Sequence, residues 1–518
     1  MTADFVVVGA GSAGAPIAAR LSEDPDVGVV LLEAGPDYAS RADMPPDLLD
    51  ARTIAGMQHD WNYVASPMAG RTIPYRRGKV TGGTSAINQA AAQRARPADF
   101  DAWVRRGNPE WEWDKVLPYF KKLESDTFGS QDSHGRSGPI TITRYEHHEL
   151  VPIQRAFYDA CRAAGFGDVR DHNAIEDSGV GPWPLNREGT TRISTALGHL
   201  AAARSRANLA IRPGSFVDKV LFERGRAVGV VLVGGEVVSA KHLVLSAGAV
   251  GSPAILLRSG IGPAKDLRDL GIKVLVDSPG VGAQLWDHAA VSILLVPKEG
   301  QCVPGRDPRF QVMATFTAEG SREPDDMQLV MGTHADISGI PALLAAAGVP
   351  VVASLLAGLM VPRGHGRLTL TSTDPAAQPT IELNFGADPE DMRRLMAGVR
   401  VAWKVARSEH IRRETERVVV LSDDIIRSDD LLRDYVRSRV GSYCHALGTA
   451  RMGPDGDPGA VVDQYCRVRG VENLWVVDAS VMPVIPRAVP NLTVIMLGER
   501  VADWLRRREM APPQHISV

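Results

Sequence analysis

The sequence predicts an α/β fold in two units. One is a doubly wound, parallel-sheet unit assembled from separated stretches of chain; the other is an α+β unit with an antiparallel sheet. Three observations carry this. Short apolar runs followed by helical patterns recur at the start, middle and end of the chain, the rhythm of strands alternating with helices. Residues from about 290 to 385 read as β-rich, and 367–371 alternate polar and apolar, the period of half-buried strands. The length, 518 residues, exceeds one typical core.

The first element is Phe5-Val6-Val7-Val8, an apolar, β-branched run that reads as a buried strand. It runs into Gly9-Ala10-Gly11-Ser12-Ala13-Gly14, a helical pattern over 15–21, and a second strand over 27–32 that ends on Glu33. Strand, G-x-G-x-x-G turn, helix, strand and an acid about 20 residues past the glycines form the dinucleotide-binding fingerprint. Gly9 permits the tight turn, Gly11 lets the backbone approach a pyrophosphate, and Gly14 lets helix and strand pack closely. The helix N-terminus offers unpaired N–H groups to phosphates. Glu33 can accept hydrogen bonds from a ribose diol.

A polar, Pro-rich stretch follows, to about Arg76, and then a small-residue loop from Gly78 to Ser85. The Ala-rich 86–95 segment reads as helix. Residues 101–123 read as helix broken at Pro109 and Pro118, with Trp103, Trp111 and Trp113 as core anchors. Residues 126–190 are loop-rich. Strands resume at 209–212, 219–222, 228–233 and 242–247, before a helix over 252–259. Amphipathic helices are expected at 391–408 and 428–439, a strand at 474–478, and a closing helix at 493–507. The nucleotide-type elements therefore assign 1–125, 195–290 and 440–518 to one discontinuous, Rossmann-like domain. The remainder, 126–194 and 291–439, forms a substrate-binding or cap domain built from insertions.

Bulk properties exclude several classes. The formal net charge is −3, so no bulk field favours nucleic acid or an acidic membrane. Cys161, Cys302, Cys444 and Cys466 are scattered without C-x-x-C spacing, which argues against a disulfide framework or a zinc site and fits a reducing compartment. The chain enters its first strand within five residues, without a basic or apolar leader. No run of about 18 uncharged apolar residues is present. A cytoplasmic protein with no membrane, nucleic-acid or metal partner is expected.

Together the motifs resemble the glucose–methanol–choline (GMC) oxidoreductases over essentially the whole chain. The fingerprint with Glu33-Ala34-Gly35 matches the family's start. Arg77-Gly78-Lys79-Val80-Thr81-Gly82-Gly83-Thr84-Ser85-Ala86-Ile87-Asn88 resembles its first signature, and Gly248 to Pro253, continuing through Ser259 to Pro263, its second. Gly280-Val281-Gly282 with Leu285-Trp286-Asp287-His288 matches its G-x-G-x-x-L-x-D-H run. His445-Ala446-Leu447-Gly448-Thr449, Val477-Asp478-Ala479-Ser480 and Pro490-Asn491-Leu492-Thr493 match the active-site and closing segments. The resemblance implies FAD and oxidation of an alcohol to a carbonyl. It places Gly9, Gly11, Ser12, Ala13, Gly14, Glu33 and Ala34 at the ADP half, and Thr84 and Asn88 beside pyrophosphate and flavin. It sets the backbone of Val217 at the adenine, Asp478 and Ala479 at the pyrophosphate–ribityl region, and Asn491 and Thr493 near the flavin. Some members attach FAD through a histidine just before the signature asparagine. Here that position is Ile87, so noncovalent FAD is expected.

Alcohol oxidation needs a hydride acceptor and a base for the hydroxyl proton, and a neutral imidazole suits the second task. The resemblance gives that role to His445. Where the family usually offers a second His or Asn, this chain has Val489 and Pro490. His445 then works alone, or a residue of the insertion domain substitutes. Within the family, Pro490 points to a pyridine alcohol: pyridoxine oxidised to pyridoxal, with molecular oxygen as acceptor. The alternatives are a choline or alcohol dehydrogenase using another acceptor, and a non-redox flavoprotein of the hydroxynitrile-lyase kind. Of the remaining histidines, His147 and His148 read as solvated, His288 as fixing a turn, and His334 and His365 as candidates to line the pocket.

Overall fold

A computed structural model describes residues 3–174 and 178–507. Five strands form a parallel sheet in the order Leu209–Arg212, Val29–Leu32, Ala3–Val8, Val237–Leu245 and Leu474–Val476. Arg226–Leu232 and Val217–Glu223 extend it as an antiparallel hairpin. Val6 pairs with Val30 on one side and Leu243 on the other, and Val6 and Val7 are fully buried. Burial on both faces is why this strand is a continuous apolar run. The Gly14–Leu21 and Asn491–Arg507 helices pack together against it. Gly498 permits the contact, since a Cβ there would lie 2.8 Å from the Ala13 carbonyl. Buried Glu499 pins the pair: it accepts from Arg20 at 2.8 Å and meets His199 at 3.0 Å. Burial opposes its ionisation, but these partners hold its carboxyl at about 2.

The second sheet has seven strands and every pairing is antiparallel. Its path runs Thr415–Val419, Ala289–Pro297, Val351–Leu359, Met327–Asp336, Val312–Phe316 and Val180–Pro182, with Gly441–Ser442 also on Ala289–Pro297. The Pro389–Ala406 helix covers it, burying Leu395, Val399 and Ala402, and its N-cap Asp388 accepts from Glu390 and Asp391 N–H. The expected pairing of a parallel α/β sheet with an antiparallel α+β unit is what the chain adopts.

Several local expectations are corrected. The 86–95 segment is not a helix: only Thr84–Ile87 is helical. Asn88 Oδ1 accepts the Ala90 N–H at 2.9 Å, and Ala90 sits in the left-handed region at φ 57°. Ala92 and Ala90 then bond Pro184 and Asn186 across the chain, so tertiary pairing overrides alanine's helix propensity. Pro118 breaks nothing, lying inside the Trp113–Leu123 helix. The carbonyl it leaves without a donor belongs to Asp114, which is exposed to water. The break before Pro109 is real, but Gly107 makes it: Pro97–Arg105 ends at this left-handed glycine, φ 86°, and Pro109 opens the following 3₁₀ turn. Trp103 and Trp111 are fully buried, whereas Trp113 is half-buried. The strand after the first helix starts at Val29, and the closing helix starts at Asn491.

One buried cluster fastens the loop-rich 124–173 segment. His134 meets Glu124 at 3.0 Å, Asp126 at 3.2 Å and Asp171 at 2.8 Å, while Arg94 bonds Glu124 and Arg144 spans Asp126 and Asp171. Burial alone would lower the imidazole's pKa, but its three carboxylate contacts push it up to about 10. Three carboxylates and three cations then cancel, the condition for burying them together. All four cysteines are free thiols, and no described helix is long and apolar enough to cross a membrane.

Candidate active site

A cavity of about 900 Å³ runs from the glycine turn of the first sheet to the face of the second. At one end, two glycine loops touch back to back. Gly9 takes φ 96°, and a Cβ on Gly14 would lie 1.9 Å from the Gly9 carbonyl, so the turn and the start of the helix both demand glycine. Gly83, at φ 52°, would drive a Cβ to 2.7 Å from Gly11 Cα. Gly11 differs. Its own Cβ would meet nothing in the chain closer than 3.7 Å, yet it lines the cavity. Packing does not require glycine there, whereas a ligand laid against that backbone does. Glu33 is buried beside it, accepting the Ala10 N–H at 3.0 Å and the Gly35 N–H at 2.8 Å. Burial pushes its carboxyl up to about 7.

Most of the sequence-predicted binding residues converge here. Gly9, Gly11, Ser12, Ala13, Glu33, Ala34, Thr84, Asn88, Val217, Asp478, Ala479 and Asn491 all line the cavity, and so do His445 and Pro490. Gly14 and Thr493 do not; each is buried behind it. The Asp478 carboxylate is filled by Gly248 N–H, Ser252, and the N–H and hydroxyl of Ser480. Its side chain therefore joins the loops that follow two neighbouring strands, Val237–Leu245 and Leu474–Val476, and caps the 3₁₀ turn Ala479–Val481. Ser12 donates to Asn491 Oδ1 at 2.8 Å, which leaves Asn491 Nδ2 buried without an acceptor; Thr493 Oγ1 is likewise unpartnered. The orphaned Asn491 amide beside an open glycine cradle fits a dinucleotide carrying acceptor groups along this wall.

The histidine end is built by two chain segments side by side. Trp286 pairs with Leu447, and Ala289 with Ser442. Two residues on one segment thus oppose four on the other, a bulge absorbed at Cys444 with φ 62°. Asp287 anchors the bulge. It accepts the Tyr75 hydroxyl at 2.7 Å, the Ser442 hydroxyl and the His445 N–H at 2.8 Å. Arg77 clamps the opposite side through the Cys444 carbonyl at 2.7 Å. The Tyr443 ring stacks on His445 with centroids 5.4 Å apart.

His288 corrects its sequence reading. It does not fix a turn: its Nδ1 lies 2.8 Å from Nδ1 of His445, and its Nε2 lies 3.0 Å from the Pro486 carbonyl. A carbonyl only accepts, so His288 Nε2 carries a proton. Burial lowers the pKa of His288 to about 4, so the ring is neutral and its Nδ1 is a lone pair. His445 must then donate from Nδ1, and its Nε2 is left unprotonated. Burial, with His288 and Arg77 nearby, holds His445 well below the usual histidine range. The result is a neutral imidazole, locked in one tautomer, lining the cavity with a free basic nitrogen. The G-x-G-x-x-L-x-D-H run was the signal that could have found Asp287 and His288.

The wall facing that end comes from the second sheet. Trp183, Phe310, Met313, Val330 and Val489 form one apolar cluster, with Ala91 and Leu356 against it. His334 and His365 are not among the cavity-lining residues: His334 bonds the Asp307 carbonyl, and His365 packs on Trp286. His147 and His148 are exposed, as expected.

A glycine cradle for a dinucleotide, opening on a neutral histidine base and an apolar wall, defines a dinucleotide-dependent oxidoreductase. Models of the GMC oxidoreductase N- and C-terminal regions match residues 3–290 and 362–498. The chain is 36% identical over 529 residues to a 5-(hydroxymethyl)furfural oxidase of Methylovorus sp., covering 96% of this chain and 98% of that one. It is 35% identical over 544 residues to an oxygen-dependent choline dehydrogenase of Chromohalobacter salexigens, covering 98% and 96%. The structure of pyridoxine 4-oxidase from Mesorbium loti superposes with a TM-score of 0.89 at 30% identity, over 98% of this chain and 99% of that one. The protein belongs to the GMC oxidoreductases, FAD-dependent enzymes acting on CH–OH groups.

Proposed function

We propose that the protein oxidises a primary alcohol on a pyridine-type ring, pyridoxine being the expected case, to the aldehyde, with molecular oxygen as final acceptor. The carrying observation is the free Nε2 of His445, in a cavity that Pro490 also lines and that an apolar wall suited to a flat ring borders. Bound FAD supplies the hydride acceptor. His445 takes the hydroxyl proton at Nε2, and the His288–Pro486 pair keeps that nitrogen available. Residues 1–125, 195–290 and 440–518 hold the cofactor in this reading, and 126–194 with 291–439 shape the substrate side. The similarity to a pyridoxine 4-oxidase and a 5-(hydroxymethyl)furfural oxidase supports a ring-borne CH₂OH.

Anaerobic mixing of the holoenzyme with pyridoxine, benzyl alcohol and choline tests this. Pyridoxine should bleach the flavin band fastest, and admitted air should restore it. Bleaching by choline alone would overturn the substrate, slow return in air would overturn oxygen as acceptor, and no bleaching by any alcohol would leave a non-redox flavoprotein.

The FAD is held without a covalent bond in this reading, because Ile87 lines the cavity where other members place a histidine. Acid precipitation is expected to leave the yellow colour in the supernatant. A yellow pellet would refute it.

A further inference from the structure

Among the arginines lining the cavity, Arg76 is bonded to Asp60 and the Ala55 carbonyl, Arg77 to the Cys444 carbonyl, and Arg258 to Asp218, while the ammonium of Lys79 lies over the Trp61 ring, 4.6 Å from its centroid. Arg309 has no such partner. It lines the same cavity, its Nε is buried without an acceptor, and it makes no ion pair among the described residues. Its guanidinium lies 5.4 Å from the Phe310 ring centroid, and Phe310 meets Trp183 edge-on at 5.5 Å. The indole N–H of Trp183 is also buried without an acceptor. Two unsatisfied donors thus border one apolar cluster, the cluster that includes Val489 beside Pro490. Burial, with Arg76 nearby, lowers the Arg309 pKa to about 10, so the group still carries its charge at neutral pH.

Arg309 as a whole is half-buried, but its Nε is sealed from water, and a cation desolvated in this way without a counter-ion is costly unless a ligand supplies one. The anionic part of FAD, its pyrophosphate, belongs to the glycine cradle of the first sheet, whereas Arg309 stands just before the Val312–Phe316 strand of the second. We propose that Arg309, with Trp183 beside it, is the specificity determinant of this pocket, and that it recognises an oxyanion on the substrate ring, a carboxylate or a ring-borne phenolate-type oxygen. This rests on the ring-alcohol reading above and narrows it. The ring lies against Phe310, Val330 and Leu356, its CH₂OH turns to His445, and its oxyanion faces the guanidinium. A cationic alcohol such as choline meets the wrong charge.

The test compares 4-(hydroxymethyl)benzoate, pyridoxine and benzyl alcohol on the wild-type holoenzyme and on Arg309→Gln and Arg309→Lys. The carboxylate arm and the pyridoxine arm separate the two oxyanion sources. The wild type should favour at least one oxyanion-bearing alcohol over benzyl alcohol by at least about tenfold in kcat/KM, the scale of a charge-assisted hydrogen bond. Arg309→Gln should erase that ratio chiefly through KM, and Arg309→Lys should restore part of it. Benzoate binding, read by perturbation of the flavin spectrum, checks the same site without turnover and should weaken at least about tenfold in Arg309→Gln. Absence of any oxyanion preference, or a ratio unchanged in Arg309→Gln, would overturn the proposal, as would loss of FAD from that variant. If no alcohol bleaches the flavin, the ring-alcohol reading fails, while benzoate binding still decides the role of Arg309.

Discussion

Replacing His445 by alanine is expected to slow reduction of the flavin by an alcohol at least about 100-fold, the usual scale for losing a positioned general base. FAD should stay bound, because the glycine cradle, Glu33 and Asn491 are untouched. The magnitude rests on geometry. His445 Nε2 is the free nitrogen of a neutral ring whose other nitrogen is committed to His288. Without it, the hydroxyl proton must leave to water within a largely apolar pocket. The pH dependence has a definite sign. The base works unprotonated, so activity falls as pH drops through its pKa. Burial and the neighbouring His288 and Arg77 hold that pKa well below 6.5. The wild-type kcat/KM should therefore stay flat from neutral pH down past the usual histidine range, with its acid limb below it. Stopped-flow reduction of wild type and His445→Ala across pH checks both statements. Unchanged reduction in the variant would refute the assignment.

The second large effect is expected at His288, a positioning residue that reaches the substrate only through His445. His288→Leu removes the acceptor that holds the His445 proton on Nδ1. The ring can then turn over or carry its proton on Nε2, and the rate of flavin reduction should fall at least about tenfold, as when the orienting partner of a reactive histidine is lost. His288→Gln should recover much of that loss. Its amide oxygen can accept from His445, and its amide N–H can donate to the Pro486 carbonyl, as the imidazole does. A purely structural role would not distinguish the two: leucine and glutamine would then fail together, or neither would.

The cofactor half of the molecule was legible in the sequence because it is local. Gly9, Gly11 and Gly14 are read from spacing alone, and their reasons hold in three dimensions: a left-handed turn, an open cradle and a helix pressed onto a carbonyl. The long apolar strands and the Pro389–Ala406 helix declare themselves through period and capping. Misreadings fell where the deciding contact was distant. The 86–95 segment has helix-forming residues, yet Pro184 and Asn186 pair with it. Pro118 reads as a breaker, yet it sits inside a helix, and the carbonyl it leaves without a donor belongs to the exposed residue Asp114. His334 and His365 look available, but are spent on Asp307 and Trp286.

By itself the sequence determined that this chain is an α/β protein with a dinucleotide-type glycine turn at its first strand, and which histidine to propose as the base. Those follow from residue type and short-range spacing. Only the tertiary structure decided what His445 can do there and what shares its pocket. The His288–His445 contact joins residues 157 positions apart, and Arg309 stands alone in its pocket because no acid among the described residues pairs with it. Tautomers and unpaired charges are properties of surroundings, and surroundings are assembled from parts of the chain that carry no mark of one another.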